Sequence, residues 1–186
     1  GADKQIKAMI MGIPNVGKST LINVLAGRIV AKTGNEPAVT KAQQRIKLED
    51  GIMLYDTPGM LWPKVENENS GYRLAATGAI RDTAIDYEEV ASYTAEYLLE
   101  AYPKLLQTRY KIEELPEQDW EFMEMAGKKR GCIRGGNQVD THKMSEILIN
   151  ELRDAVIGRI TMETPEMRER EEVVVAELRA QAEAKK

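Results

Sequence analysis

The run Gly12–Ser19 constrains the fold of this 186-residue chain more than any other segment. It reads Gly-Ile-Pro-Asn-Val-Gly-Lys-Ser and matches the pattern G-x-x-x-x-G-K-[ST]. The apolar run Ile6–Met11 precedes it, and apolar residues at helical spacing follow it in Thr20–Leu25. A strand, a phosphate-binding loop and a helix are therefore predicted in this order, which is the start of an α/β domain.

Each part of this loop, a P-loop, has a predicted chemical task. Gly12 and Gly17 allow the backbone to wrap around phosphates, because a Cβ atom would block the turn or the approach of the N–H groups. Lys18 is predicted to reach the β and γ phosphates of a nucleotide, and the Ser19 hydroxyl to bind Mg²⁺. The alternative, a glycine-rich turn with a solvated lysine, is disfavoured by the complete pattern in this context. The predicted nucleotide contacts in the loop are Asn15, Val16, Gly17, Lys18, Ser19 and Thr20.

A second motif, Asp56-Thr57-Pro58-Gly59, follows the predicted strand Ile52–Tyr55. Asp56 then lies at the carboxyl end of a strand, where it can hold Mg²⁺ through water. The N–H of Gly59 can be offered to a γ phosphate, so Gly59 is predicted to belong to the catalytic and nucleotide-binding groups together with Lys18. A D-x-x-G tetrapeptide on its own is usually a turn, but after a P-loop it is typical of a GTPase switch.

Thr40 lies in the irregular segment Ile29–Ala42 between these two motifs. GTPases use a threonine in such a loop to close on Mg²⁺ and to sense the γ phosphate. A surface threonine is the alternative interpretation. The order of the motifs along the chain favours the catalytic and metal-binding role.

Met60 follows the second motif at a position where many GTPases carry a glutamine that orients the attacking water. Slow intrinsic hydrolysis is therefore predicted, with a partner or an ion completing the site. Asn15 is a candidate for binding a monovalent cation such as K⁺ beside the phosphates. It can equally be a turn residue that makes a local backbone hydrogen bond.

The rest of the chain indicates two parts. Gln44–Leu48 and Ile52–Tyr55 are predicted as a hairpin of strands. Helical spacing then begins near Asp86, and three helices are predicted: one ending before Pro103, one over Met144–Val156 capped by Asp140 or Thr141, and one after Pro165 with a solvated, charge-alternating tail. The predicted domains are residues 1–84, a partial P-loop domain, and residues 85–186, a small all-α domain.

Composition limits the partners and the location. The 26 Lys and Arg residues against 30 Asp and Glu give a net charge of −4, so nucleic-acid binding requires a local basic patch. The single cysteine, Cys132, and the single histidine, His142, exclude a disulfide or a Cys/His zinc site within the chain and fit a reducing cytoplasm. No apolar run approaches the ~20 residues that span a bilayer, so a membrane is not an expected partner. DNA is not an expected partner either, because the net charge is negative.

A local basic patch does occur around a glycine-rich segment. Lys128, Lys129, Arg130 and Arg134 lie near Gly131, Gly135 and Gly136, so this segment can present cations to phosphates with little steric hindrance. A solvated charged surface is the alternative interpretation of such a cluster.

Several of these segments together resemble the YlqF/RbgA family of circularly permuted GTPases. The resemblance rests on Gly12–Leu25, on Asp56–Pro63, on Thr77-Gly78-Ala79-Ile80, and on Lys129-Arg130-Gly131-Cys132 with Gly135-Gly136, and so covers most of the chain. In that family the base-recognition motif N-K-x-D precedes the P-loop. The chain therefore looks like the C-terminal portion of a longer GTPase, and guanine specificity, with GTP or GDP and Mg²⁺ as ligands, is implied by the resemblance.

The resemblance also implies a role. The family acts in assembly of the large ribosomal subunit, with the helical domain on rRNA and the nucleotide state setting affinity, which makes the four cations above candidate RNA contacts. Asn137-Gln138-Val139-Asp140 lacks the lysine of N-K-x-D and is better explained as a turn with a helix cap. Two alternatives stay open: an RNA or protein-interaction module without nucleotide turnover, and a P-loop ATPase or kinase.

Overall fold

The computed structural model describes residues 6–31, 33, 43–48, 51–62 and 65–184. The chain divides into two compact units. The first comprises Gly1–Pro63 and Gly78–Thr83, and the second comprises Lys64–Thr77 and Ala84–Lys186. Residues 64–77 thus cluster with the second unit, whereas the sequence analysis placed them in the first. The assignment of 1–84 and 85–186 as functional domains stays a prediction.

The first unit contains a sheet of three strands, β1 (Ile6–Ile10), β2 (Gln44–Lys47) and β3 (Ile52–Asp56). Their order in the sheet is β1-β3-β2. β1 and β3 are parallel with Ile10 opposite Asp56, whereas β2 and β3 are antiparallel, as the predicted hairpin requires. Because the carboxyl ends of parallel strands lie at the same sheet edge, the segments that follow β1 and β3 emerge side by side.

The helix α1 (Lys18–Ala26) packs on this sheet through Ile22, which is fully buried. Asn23 then fixes the chain beyond the helix, since its side-chain oxygen accepts hydrogen bonds from the N–H groups of Val30 and Ala31, both at 2.9 Å. Among the described residues of this unit, a hydrophobic cluster contains Ile22, Ala31, Ile46 and Leu54, with Ala8, Ile10, Val30 and Leu48 packed against it.

Helices make up most of the described part of the second unit. Its helices are α2 (Glu68–Ala76), α3 (Tyr87–Ala101), α4 (Pro103–Tyr110), α5 (Asp119–Lys129), α6 (Thr141–Arg153) and α7 (Pro165–Ala184). The three helices predicted from sequence correspond to α3, α6 and α7. Pro103 ends α3 as predicted, but it also begins α4, because proline is well tolerated in the first turn of a helix.

The helices α2, α4 and α5 were not predicted. α2 and α4 have 9 and 8 residues, too short for a clear apolar period. α5 has 11 residues and mixes charged side chains with buried ones such as Phe122. None of the described helices combines the length and the apolar character needed to cross a membrane.

Glu151 of α6 joins three elements of this unit. Its carboxylate accepts hydrogen bonds from Arg109 at 2.5 and 2.9 Å, from the hydroxyl of Tyr110 at 2.9 Å and from Arg130 at 2.7 Å. Burial opposes the charged form, but the hydrogen bonds from Arg109 and Tyr110 outweigh it and lower the pKa of Glu151. The carboxylate of Glu151 therefore fixes the end of α4 and the end of α5 against α6.

The last helix is attached mainly by polar contacts, because none of its described residues is buried. Glu171 pairs with the buried Arg73 of α2 at 2.5 Å and accepts hydrogen bonds from Asn67 at 2.7 Å and Asn69 at 3.1 Å. These bonds, led by the one from Arg73, lower the pKa of Glu171 to about 2. The prediction of a solvated tail was wrong for this residue, whose partners are distant in sequence.

Replacing Glu151 by glutamine tests the first of these contacts. Glu151→Gln leaves two guanidinium groups facing a neutral amide, and we expect unfolding to become easier by about 2 kcal/mol, since both arginines are partly exposed and screened. Chemical denaturation monitored by circular dichroism measures the change. The matched control is Glu146→Gln on the exposed side of the same helix, and an equal loss in both variants would contradict a special role of Glu151.

The contact of Glu171 predicts a pH dependence. Its pKa is lowered from the ordinary 4.5 to about 2 when α7 is docked, so its contribution to docking is complete above pH 4.5 and is lost as the pH falls toward 2. Amide exchange along α7, measured between pH 3 and 6, should show weaker protection at the acid end after correction for intrinsic rates. Glu171→Gln should abolish this dependence, and its persistence in that variant would assign it to another group.

Candidate functional site

The run Gly12–Ser19 forms the connection between β1 and α1, as predicted. Asn15 and Gly17 both have positive φ angles, 58° and 85°, in the left-handed region. Gly17 caps α1, which begins at Lys18. A left-handed residue directly before a helix turns the backbone N–H groups of the loop and of the first helical turn toward one side. Such a concave set of donors fits a phosphate group.

The Lys18 side chain folds back over this loop. Its ammonium group donates a hydrogen bond to the carbonyl oxygen of Ile13 at 2.7 Å. The Lys18 ammonium group, which the sequence predicts to bind phosphates, is thus hydrogen-bonded to a carbonyl of the loop. This contact holds Lys18 within the loop, and Ser19 beside it is partly buried.

The D-x-x-G segment lies directly against the P-loop. The hydroxyl of Thr57 donates to the carbonyl of Ile10 at 2.7 Å, and the N–H of Met60 donates to the carbonyl of Gly12 at 3.3 Å. A Cβ atom on Gly59 would lie 2.7 Å from the backbone of Pro14, so only glycine permits this approach. The two loops that sequence reasoning singled out are therefore in contact.

Asp56 is fully buried at the end of β3. The parallel register places it opposite Ile10, two residues before the P-loop begins at Gly12. A carboxylate and the hydroxyl of Ser19 are hard oxygen donors of the kind Mg²⁺ prefers, and the adjacent concave loop suits phosphates. The residues present thus fit a nucleotide with Mg²⁺.

Asn15 has a partner that sequence reasoning did not identify. Its side-chain N–H donates to the carbonyl oxygen of Gly78 at 2.8 Å, across 63 residues of sequence. The positive φ of Asn15 is typical of a turn residue, but this side-chain bond is not the local backbone bond of that interpretation, and binding of K⁺ stays a prediction. The tetrapeptide beginning at Thr77 had entered the sequence analysis only through family resemblance, and no residue pattern indicated this contact.

Two predicted residues complete the inventory of the site. Met60 is 65% exposed, so the position of the usual glutamine carries a solvated apolar side chain. Thr40 lies outside the described residues, and its catalytic and metal-binding role stays a prediction.

Most of the cations in the basic patch are already paired with carboxylates, which the sequence did not predict. Lys128 pairs with Glu124 at 2.5 Å, Arg130 with Glu151 at 2.7 Å, and Arg134 with Asp140 at 2.7 Å. Within the part of the chain that the structure describes, Lys129 makes no ion pair. Three of the four candidate cations are thus engaged by carboxylates of the same unit.

Asp140 has two structural tasks in this region. It caps α6 by accepting a hydrogen bond from the N–H of Lys143 at 3.0 Å, and it pairs with Arg134. The hydrogen bond from Arg134, followed by that from the Lys143 N–H, lowers the pKa of Asp140 to about 2. The segment ending in Asp140 is therefore a turn with a helix cap, as interpreted from the sequence.

The close approach of Gly59 to Pro14 generates a prediction. Gly59→Ala places a methyl group against backbone atoms that cannot rotate away, so we expect about 2 kcal/mol of destabilisation or displacement of the D-x-x-G loop. Thermal unfolding and amide exchange at Met60 report the two effects. Gly135→Ala is the matched control because nothing lies within 4 Å of its added Cβ. Equal behaviour of the two variants would contradict the contact.

Comparisons with known proteins identify a GTPase family. The family described as 50S ribosome-binding GTPase matches residues 7–100. Ribosome biogenesis GTPase A of Priestia megaterium is 49% identical over 162 residues, which are 87% of this chain and 56% of that protein. The chain therefore spans little more than half the length of this relative.

Two solved structures share the fold. The GDP-bound structure of TM YlqF matches with a TM-score of 0.60 and 26% identity, over 88% of this chain and 63% of that chain. The GNP-bound YlqF from T. maritima matches with a TM-score of 0.55 and 28% identity, over 85% of this chain and 59% of that chain. The predicted resemblance to YlqF is confirmed, and since the family match covers half of the sequence, the chain belongs to the 50S ribosome-binding GTPases.

Proposed function

We propose that this chain carries the phosphate-binding and switch elements of a cytoplasmic GTPase that acts in assembly of the large ribosomal subunit. The observation that carries the proposal is the contact of the D-x-x-G loop with the P-loop through Gly59 and Met60, next to the bond from Thr57 to the end of β1. Two loops held together in this way can respond jointly to the presence of a γ phosphate. The relative named Ribosome biogenesis GTPase A supports the assembly role.

The proposed binding step uses the residues of the two loops. The N–H groups at the start of α1 and the ammonium of Lys18 bind the phosphates, and Lys18 exchanges its bond to the Ile13 carbonyl for phosphate oxygens. Ser19, Asp56 and Thr40 would hold Mg²⁺, directly or through water. When bound, the ion neutralises charge on the phosphate oxygens.

The proposed hydrolysis step is slow without help. The N–H of Gly59 is the donor offered to the γ phosphate, and its position is fixed by the contact with Pro14. Met60 offers no polar side-chain atom for orienting the attacking water. A partner, or K⁺ held near Asn15, would therefore supply the missing group.

Guanine preference is proposed from the family match and from the relatives. No N-K-x-D motif occurs within the 186 residues, and the segment ending in Asp140 is a helix cap. The GDP-bound and GNP-bound YlqF structures support a guanine nucleotide. The D-x-x-G contact favours this switch class over a P-loop ATPase.

For RNA contact the structure favours one of the four predicted cations. Lys128, Arg130 and Arg134 each already pair with a carboxylate, so neutralising a phosphate with them would compete with those pairs. Lys129 has no such competitor among the described residues. We therefore propose Lys129 as the principal rRNA contact of this segment, with Arg130 mainly supporting the fold through Glu151. An interaction module without turnover is the alternative function, because this helical contact does not itself require hydrolysis.

Nucleotide titration tests the proposed site. We expect labelled GTP with Mg²⁺ to bind more tightly than ATP, and Lys18→Ala to reduce GTP affinity by at least tenfold because the loop loses its phosphate cation. Lys47→Ala, at an exposed position of β2, is the control and should bind as the unchanged chain does. Binding that persists in Lys18→Ala would refute this site, and equal affinity for ATP would favour the ATPase.

Ribosomal-subunit binding tests the proposed RNA contact. Lys129→Ala should weaken binding to purified large subunits and reduce the slope of log affinity against log salt by about 1, as expected for one lost phosphate contact. Lys104→Ala on α4 removes the same charge elsewhere and should leave both quantities unchanged. Unfolding curves of both variants separate binding from stability. An unchanged affinity in Lys129→Ala would return the basic patch to the solvated-surface interpretation.

A further inference from the structure

The hydrogen bond from Asn15 to Gly78 connects the P-loop with the turn after α2, and both residues belong to the first unit. Asn15 lies within the P-loop and is exposed, whereas Gly78 is buried. The donor and acceptor atoms are 2.8 Å apart, a normal hydrogen-bond length. Since a buried carbonyl group needs a donor, the side chain of Asn15 contributes to the placement of Gly78.

The backbone at both ends of this bond is specialised. Asn15 has a φ of 58°, a conformation that asparagine adopts more readily than most residues, and Gly78 has a φ of 78°, which favours glycine. Ala79, the next residue, is only 2% exposed. A tight buried turn is therefore bonded to the P-loop through the side chain of Asn15.

The turn at Gly78 directly follows the end of α2, whose carbonyl groups also have defined donors. Arg153 donates to the carbonyls of Ala75 at 2.9 Å and Ala76 at 3.0 Å, and Thr77 donates through its hydroxyl to the carbonyl of Arg73 at 2.7 Å. Each of these contacts lies within the second unit, and the bond from Asn15 lies within the first. The peptide chain itself connects them at Thr77 and Gly78.

We propose that Asn15 is a positioning residue that couples the P-loop to the turn at Gly78. A ligand that binds the P-loop changes the conformation of Asn15. Because Asn15 is bonded to the Gly78 carbonyl, the position of the turn that follows α2 changes with it. The bond itself does not depend on the proposed function. Only the response to nucleotide rests on the proposed function, so the two parts can be tested separately.

The ligand-free test uses the carbonyl ¹³C chemical shift of Gly78 in the labelled chain, together with amide exchange. Asn15→Asp keeps the shape and the tolerance for a positive φ but replaces the N–H donor by an acceptor. We expect the Gly78 carbonyl shift to move and the amides of residues 78–80 to exchange about tenfold faster. Asn15→Gly, which removes the side chain altogether, should reproduce both effects.

The matched control is Asn23→Asp, the same substitution in the same unit. Asn23 donates to the carbonyl of Ala31 at 2.9 Å, so its effects should appear at residues 30 and 31 and not at Gly78. A local change at Gly78 in the Asn15 variants alone supports the proposal. A Gly78 carbonyl that keeps its shift in both Asn15 variants, or faster exchange spread evenly over the first unit, would overturn it.

The nucleotide test adds GTP with Mg²⁺ to the unchanged chain, to Asn15→Gly and to Lys18→Ala, while affinity is measured on the same samples. We expect Gly78 to respond in the unchanged chain and to lose that response in Asn15→Gly at nucleotide saturation. An undiminished response in Asn15→Gly overturns the coupling. Absence of nucleotide binding by the unchanged chain overturns the proposed function instead, and the ligand-free result still decides whether Asn15 positions Gly78.

Discussion

The parallel pairing of β1 with β3 is the constraint on which the arrangement of the site depends. It brings the segment after Ile10 and the segment after Asp56 to the same edge of the sheet. Three local contacts then fix the segments to each other: the Thr57 hydroxyl, the Met60 N–H and the close approach of Gly59 to Pro14. Antiparallel pairing of the same strands would send the two loops to opposite edges, and neither motif could act on the other.

In the helical unit, ion pairs decide which charges are available. Glu151 forms ion pairs with Arg109 and Arg130, and Glu171 forms one with Arg73. Glu171 holds α7, which has no buried residue in its described part, whereas Glu151 adds ion pairs to helices that also bury apolar side chains. A count of lysines and arginines therefore overstates the charge that a nucleic acid would meet, since part of it is used to hold the unit together.

The candidate site was predictable from sequence to a large extent, whereas much of the helical unit was not. The P-loop pattern required a strand before it and a helix after it, and β1 and α1 occur there. The short helices α2 and α4 give no comparable signal, because one or two turns contain too few apolar positions for a period to emerge. The bond between Asn15 and Gly78 joins residues 63 positions apart and had no sequence signature at all.

The sequence by itself determined the phosphate-binding loop, the D-x-x-G motif and the approximate starts of the longer helices, and it narrowed the cap of α6 to Asp140 or Thr141. These features depend on backbone conformation and on neighbours a few residues away, so residue type and spacing specify them. The tertiary structure alone decided that Gly59 packs on Pro14, that Asn15 holds Gly78 and that Glu151 captures Arg130. Such contacts depend on which distant segments pack together, and residue type and local spacing in a single sequence do not specify that packing.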